Sequence, residues 1–154
     1  MPGTRQPTEE ATQALVAPMP SSREEALERT LSTWHTIRSP GFSYDEERTR
    51  ELAGISYDRA FDPAGFGRQL LAILASGDRT SNLGRVDLPT LVIHGDSDIL
   101  VQPSGGDATA GAIPGAELMT VEGMGHDLPR EVWERIIDGI EETVRRGEED
   151  QQAA

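Results

Sequence analysis

The chain has 154 residues with a formal net charge of −13 and 36% hydrophobic residues, enough for one domain with a modest core. All 14 positive charges are arginines scattered along the sequence, so no basic patch is offered to nucleic acid or to an anionic membrane surface. The absence of cysteine excludes disulfides, thiolate catalysis and cysteine-based metal sites.

Residues 1–20 contain Pro2, Pro7, Pro18 and Pro20, a composition that resists regular structure and predicts a flexible segment, with at most a short helix starting near Thr8. Residues 1–13 lack the apolar core of a signal peptide. No run of the sequence approaches the roughly 18 apolar residues of a membrane helix, so the expectation is a cytoplasmic protein without a membrane partner.

Residues 21–86 read as helices. Ser21 and Ser22 each have a glutamate three residues on, a capping box, and Leu27, Leu31, Trp34 and Ile37 recur at spacings of four and three, predicting a helix over 22–38. Ser39-Pro40-Gly41 stops it. Ser43 with Glu46 offers a second capping box, followed by a weaker apolar face on Leu52, Ile55 and Tyr57. Asp62-Pro63 then places a cap ahead of a proline suited to the first helical position, with Phe66, Leu70, Ile73 and Leu74 as the stripe of a third helix.

From Leu88 the texture changes. The segment 90–94 is a compact run of β-branched and leucine residues, predicting a strand buried on both faces. A small helix follows Pro103 and ends at Pro114-Gly115, a second strand spans 117–122, and a closing helix over 129–146 carries Val132, Trp133, Ile136, Ile137, Ile140 and Val144. Arg145 and Arg146 would stand at its carboxy-terminal dipole, and 147–154 reads as a disordered acidic tail. The fold class is therefore α/β: a helical region, then a β-α-β-α unit over 87–146 with parallel strands.

Parallel strands bring their carboxy-terminal ends to one edge, where sites of open α/β sheets collect. Asp98, just past the first strand, and His126, just past the second, would meet there as an acid/base pair, the carboxylate fixing the imidazole tautomer. Asp96 is better read as bonding its own turn, His94 as a strand-end residue and Asp127 as an N-cap for the last helix. Trp34 lies on a helix that would face a substrate pocket, while His35 beside it is better read as a surface or core residue than as a pocket residue. Met124 reads first as a packing residue, though its place between two glycines beside His126 would also bring it close to a bound ligand. The three histidines fall in different elements without metal spacing, and no cofactor motif is present.

The residues Leu-Pro-Thr-Leu-Val-Ile-His-Gly-Asp-Ser-Asp at 88–98, Ala-Gly-Ala-Ile-Pro-Gly-Ala-Glu-Leu at 110–118 and Glu-Gly-Met-Gly-His-Asp-Leu-Pro at 122–129 resemble the carboxy-terminal third of α/β-hydrolase-fold enzymes. The similarity is strongest to the esterase-like branch that includes aclacinomycin methylesterase. The resemblance implies a partial α/β-hydrolase fold, with Asp98 and His126 as triad acid and base and the helices over 21–86 as a cap. It also implies hydrolysis of a small ester-like substrate. Ile99 stands where that family usually has proline. The family's nucleophile lies in Gly-x-Ser-x-Gly between an earlier strand and helix. The sequence contains no such motif, since Gly41-Phe42-Ser43-Tyr44-Asp45 lacks the final glycine. The expectation is a chain inactive alone, with an open sheet edge suited to self-association or to complementation by a nucleophile-bearing half.

Overall fold

A computed structural model of the chain describes residues 6–153. It contains α1 (Glu9–Leu15), α2 (Arg23–Ile37), α3 (Glu46–Arg59), α4 (Pro63–Ala75), α5 (Thr80–Leu83), β1 (Leu91–Gly95), α6 (Pro103–Ala112), β2 (Glu117–Val121), a 3-10 turn (Arg130–Val132) and α7 (Trp133–Ala153). The helical region followed by a β-α-β-α unit is the expected plan. Among the described residues, no helix is long and apolar enough to cross a membrane.

Local chemistry sets most boundaries. Ser22 caps α2 by accepting from the Glu25 amide, while the Glu25 carboxylate reaches back to the backbone and hydroxyl of Ser21. These bonds hold that carboxyl below the usual range. Asp62 caps α4 at the Gly65 amide, with Pro63 opening the helix. The second capping box does not form. Asp45 caps α3 through the Arg48 amide, Glu46 pairs with His35, and the Ser43 hydroxyl turns away to Glu131.

Helices α2 and α3 run antiparallel. Arg23 at the start of one meets Asp58 at the end of the other, and Arg50 lies between Glu24 and Glu28. These pairs are solvent-exposed and orient the helices more than they stabilise them. The segment expected to be flexible at the amino terminus is tied down where it is described. Thr8 donates its amide to the Ile99 carbonyl, Gln102 donates to the Gln6 carbonyl, Ala11 is buried, and the Arg29 guanidinium donates to the carbonyls of Leu15 and Pro18.

β1 and β2 pair in parallel, Leu91 opposite Glu117, Ile93 opposite Met119 and Gly95 opposite Val121. Side chains alternate across a strand, so α6 and α7 take opposite faces. Gly106 of α6 sits against the His94 ring, and Gly139 of α7 against Met119 and Leu91. The core is Val121, Met124, Val132 and Ile136, with Phe42, Ile93 and Met119 packed around it.

Three expectations need correction. β1 is half-buried along most of its length, because β2 is its only partner and its other edge is unpaired among the described residues. The tail over 147–153 is helical, continuing α7 on strong helix formers and an Arg145–Glu149 pair one turn apart. Arg145 and Arg146 are therefore mid-helix, and Arg146 pairs with Glu117 of β2 instead of serving the helix dipole.

Candidate active site

The turns after β1 and β2 are laced together. The Asp96 amide donates to the Val121 carbonyl and the Ser97 amide to the Met124 carbonyl. The Asp96 carboxylate accepts from Ser97 Oγ at 2.9 Å and from the Gly123 amide at 2.7 Å. Asp96 thus joins one turn to the other, a wider structural task than bonding its own turn alone.

That lacing presents Asp98 to His126. Asp98 Oδ2 lies 2.8 Å from His126 Nδ1, and Oδ1 accepts from the amides of Leu100 at 2.8 Å and Val101 at 2.9 Å. The carboxylate is 6% exposed and the imidazole 38%. A carboxylate held by two backbone donors has a fixed second oxygen, so the imidazole that meets it carries its proton on Nδ1 and keeps Nε2 as an acceptor. Among the described residues Nε2 has no hydrogen-bond partner.

The other sequence candidates separate from this pair. His94 Nε2–H donates to the Val101 carbonyl at 2.7 Å, as a satisfied strand-end histidine. His35 pairs with Glu46 at 2.9 Å and stands edge-on to Tyr44 at the surface. Trp34 lines an open groove of about 1040 Å³ together with Leu15, Met19, Leu52, Phe66 and Trp133, and Asp127 and Leu128, directly after His126, form part of its wall. Met124 does not face that groove. It is 3% exposed within the core cluster, because its position in the Gly-Met-Gly turn points it inward against Val121, Val132 and Ile136. Ser43 Oγ donates to Glu131 at 2.6 Å, a bond that is the main cause of the Glu131 carboxyl lying below its usual range. Among the described residues no three His, Asp or Glu side chains converge as metal ligands.

One part of the site escapes sequence reasoning. Asp127 is not an N-cap. Its Oδ1 accepts from both the amide and the hydroxyl of Ser39, in the loop between α2 and α3. Ser39 Oγ in turn accepts from the Gly125 amide at 2.8 Å, and the His126 amide donates to the Ile37 carbonyl at 2.8 Å. The only local hint was Ser-Pro-Gly after an amphipathic helix, which specifies a stop and nothing about what the loop touches.

A helical layer stitched to the histidine turn, over parallel strands that release an aspartate and a histidine at one edge, is the carboxy-terminal part of an α/β-hydrolase fold. No family model matches the chain. Its relatives bear the fold out: it is 34% identical over 119 residues to rhodomycin D methylesterase DnrP of Streptomyces peucetius, an alignment covering 76% of this chain and 39% of that protein. Among solved structures, esterase RhEst1 from Rhodococcus sp. ECU1013 superposes with a TM-score of 0.64 at 17% identity, covering 92% of this chain and 50% of that one. A meta-cleavage product hydrolase, CumD, gives a TM-score of 0.60 at 20% identity, with coverages of 93% and 53%. The chain is related to α/β-hydrolase esterases and spans about two fifths of the length of the curated relative and half that of the solved ones.

Proposed function

We propose that the chain supplies the acid and base of a carboxylic-ester hydrolase site. In this reading Asp98 orients His126, Trp34 forms part of the substrate wall, and the nucleophilic serine comes from outside these 154 residues. The observation that carries the reading is the contact of His126 Nδ1 with Asp98 Oδ2, made by a carboxylate whose other oxygen is held by two amides. Nε2 then removes the proton of a serine hydroxyl as its oxygen attacks the ester carbonyl, and returns it to the departing alcohol. Water repeats the cycle on the acyl-enzyme. The proposed chemistry is carried by the side chains of the triad alone, and a cytoplasmic setting is part of the proposal.

The test is hydrolysis of p-nitrophenyl acetate. The chain alone is expected to turn over little or none, because loss of a nucleophile removes several orders of magnitude of rate. Addition of a separately expressed strand–turn–helix half bearing Gly-x-Ser-x-Gly is expected to restore it. Turnover by the chain alone that disappears in His126→Ala and survives in Ser43→Ala would instead mean that water or another group is activated.

A second reading, an interaction fragment with no catalysis of its own, is favoured by two specific features. Among the described residues β1 has an unpaired edge, and α4 leaves Leu71, Ile73 and Leu74 66–71% exposed. An exposed apolar row and an open strand edge each promote association. Light scattering on the purified chain is expected to report dimers or larger species, reduced by Ile73→Glu with Leu74→Glu. A well-folded monomer at micromolar concentration would remove this reading.

A further inference from the structure

We propose that Ser39 is a positioning residue for His126, acting with Asp127 through the loop that carries the histidine. The inference rests on the reading of His126 as the base and concerns how it is held.

Ser39 is 2% exposed, with Asp98 one of two buried polar residues among those described, and lies in a different layer from the strands that deliver the acid and base. Its hydroxyl works in both directions. It accepts from the Gly125 amide, the residue before His126, and donates to the carboxylate of Asp127, the residue after it. The Ser39 amide donates to the same oxygen at 2.6 Å. Outside this hinge the His126 amide is bonded to the Ile37 carbonyl and the Gly41 amide to the Gly123 carbonyl at 2.9 Å. Four residues of the histidine loop are thus fixed by the end of α2 and the loop behind it.

This matters for the ring because so little else holds it. The imidazole is partly exposed and makes one side-chain hydrogen bond, to Asp98. Hydrogen bonds weaken steeply as their angle opens, so the direction of Nε2 is set by the backbone of 125–127 together with that one bond. A hydroxyl is suited to the hinge because it donates and accepts at once. Alanine at 39 would leave the buried Gly125 amide without an acceptor and Asp127 with one donor in place of two. The loop would then relax toward water to satisfy them.

The experiment uses NMR on the chain itself and needs no activity. The Nδ1–H proton of His126, assigned by its loss in His126→Gln, is expected to be observed at low field in the unmodified protein. In Ser39→Ala that resonance is expected to broaden or vanish, with exchange of this proton and of the 125 and 126 amides at least tenfold faster. Asp127→Ala, at a half-buried position, is expected to reproduce the effect, and Asp127→Asn, which keeps an acceptor oxygen, to restore the resonance. A role in stability alone would lower the melting temperature and leave the resonance of the folded protein unchanged. That result in Ser39→Ala or Asp127→Ala overturns the proposal while the acid/base reading stands. If Ser39→Ala does not fold, the Asp127 pair decides. Absence of the low-field proton from the unmodified chain would overturn both.

Discussion

Asp98→Asn is expected to lower kcat of the complemented enzyme by about 10⁴, the scale set by neutralising the acid of a serine-protease triad, with little change in the backbone. The reason lies in the three donors that surround the carboxylate. Leu100 and Val101 present amides to Oδ1, and His126 presents Nδ1–H to Oδ2. An asparagine has one oxygen and one NH2 group. Two backbone donors that cannot rotate will claim the oxygen, so the NH2 group faces the imidazole. Nδ1 must then become the acceptor and the proton moves to Nε2, the position from which a base has to accept. The substitution therefore inverts the tautomer without removing the ring. The checks are kcat beside the thermal midpoint, and ¹⁵N shifts of the His126 ring in the chain alone. A rate within tenfold of the unmodified enzyme, or Nδ1 still protonated in the variant, would contradict the role given to Asp98.

The parts of this arrangement that the sequence made legible are those specified by neighbours within a few residues. The run at 90–94 and the glycine after it define a strand and its exit, and two such exits joined by a helix fix their common edge, which is why the sequence alone brings Asp98 and His126 together. The caps at Ser22 and Asp62 are legible for the same reason. Met124 misleads because its place beside the histidine says nothing about which way the turn rolls, and the core behind β2 takes it. The second capping box fails because Glu131, 88 residues from Ser43, competes for the serine hydroxyl. The carboxy-terminal segment reads as disordered from its charge, yet glutamate, glutamine and alanine are good helix formers and α7 simply continues through them. Ser39 and Asp127 are likewise 88 residues apart, and neither position carries a mark of the other. The exposed stripe of α4 shows the converse: periodicity establishes an apolar face and leaves open what covers it.

Gly125→Ala is expected to destabilise the chain by about 3 kcal/mol, lowering the melting temperature by roughly 10 °C for a domain of this size. Turnover of the complemented enzyme should fall further than stability alone accounts for. A Cβ at this position would stand 2.4 Å from the Arg38 carbonyl oxygen, 2.6 Å from its carbon and 2.7 Å from the Ile37 oxygen. All three are backbone atoms, so no side chain can swing aside. Gly125 does not have a positive φ, unlike Gly123 two residues earlier. Its glycine is therefore required by the approach of the α2–α3 loop, and not by the conformation of its own turn. To admit a methyl group the histidine loop must withdraw from the end of α2, which breaks the Gly125–Ser39 and His126–Ile37 bonds together and carries His126 away from Asp98. Gly67 of α4 supplies the contrast, since a Cβ there meets nothing within 4 Å and alanine in a helix interior is favoured by about 0.5–1 kcal/mol. Calorimetry on the two variants, read beside the His126 Nδ1–H resonance, separates the accounts. If Gly125→Ala melts within about 2 °C of the unmodified chain and keeps that resonance, the loop is not pressed against α2, and the histidine is held by its own turn alone.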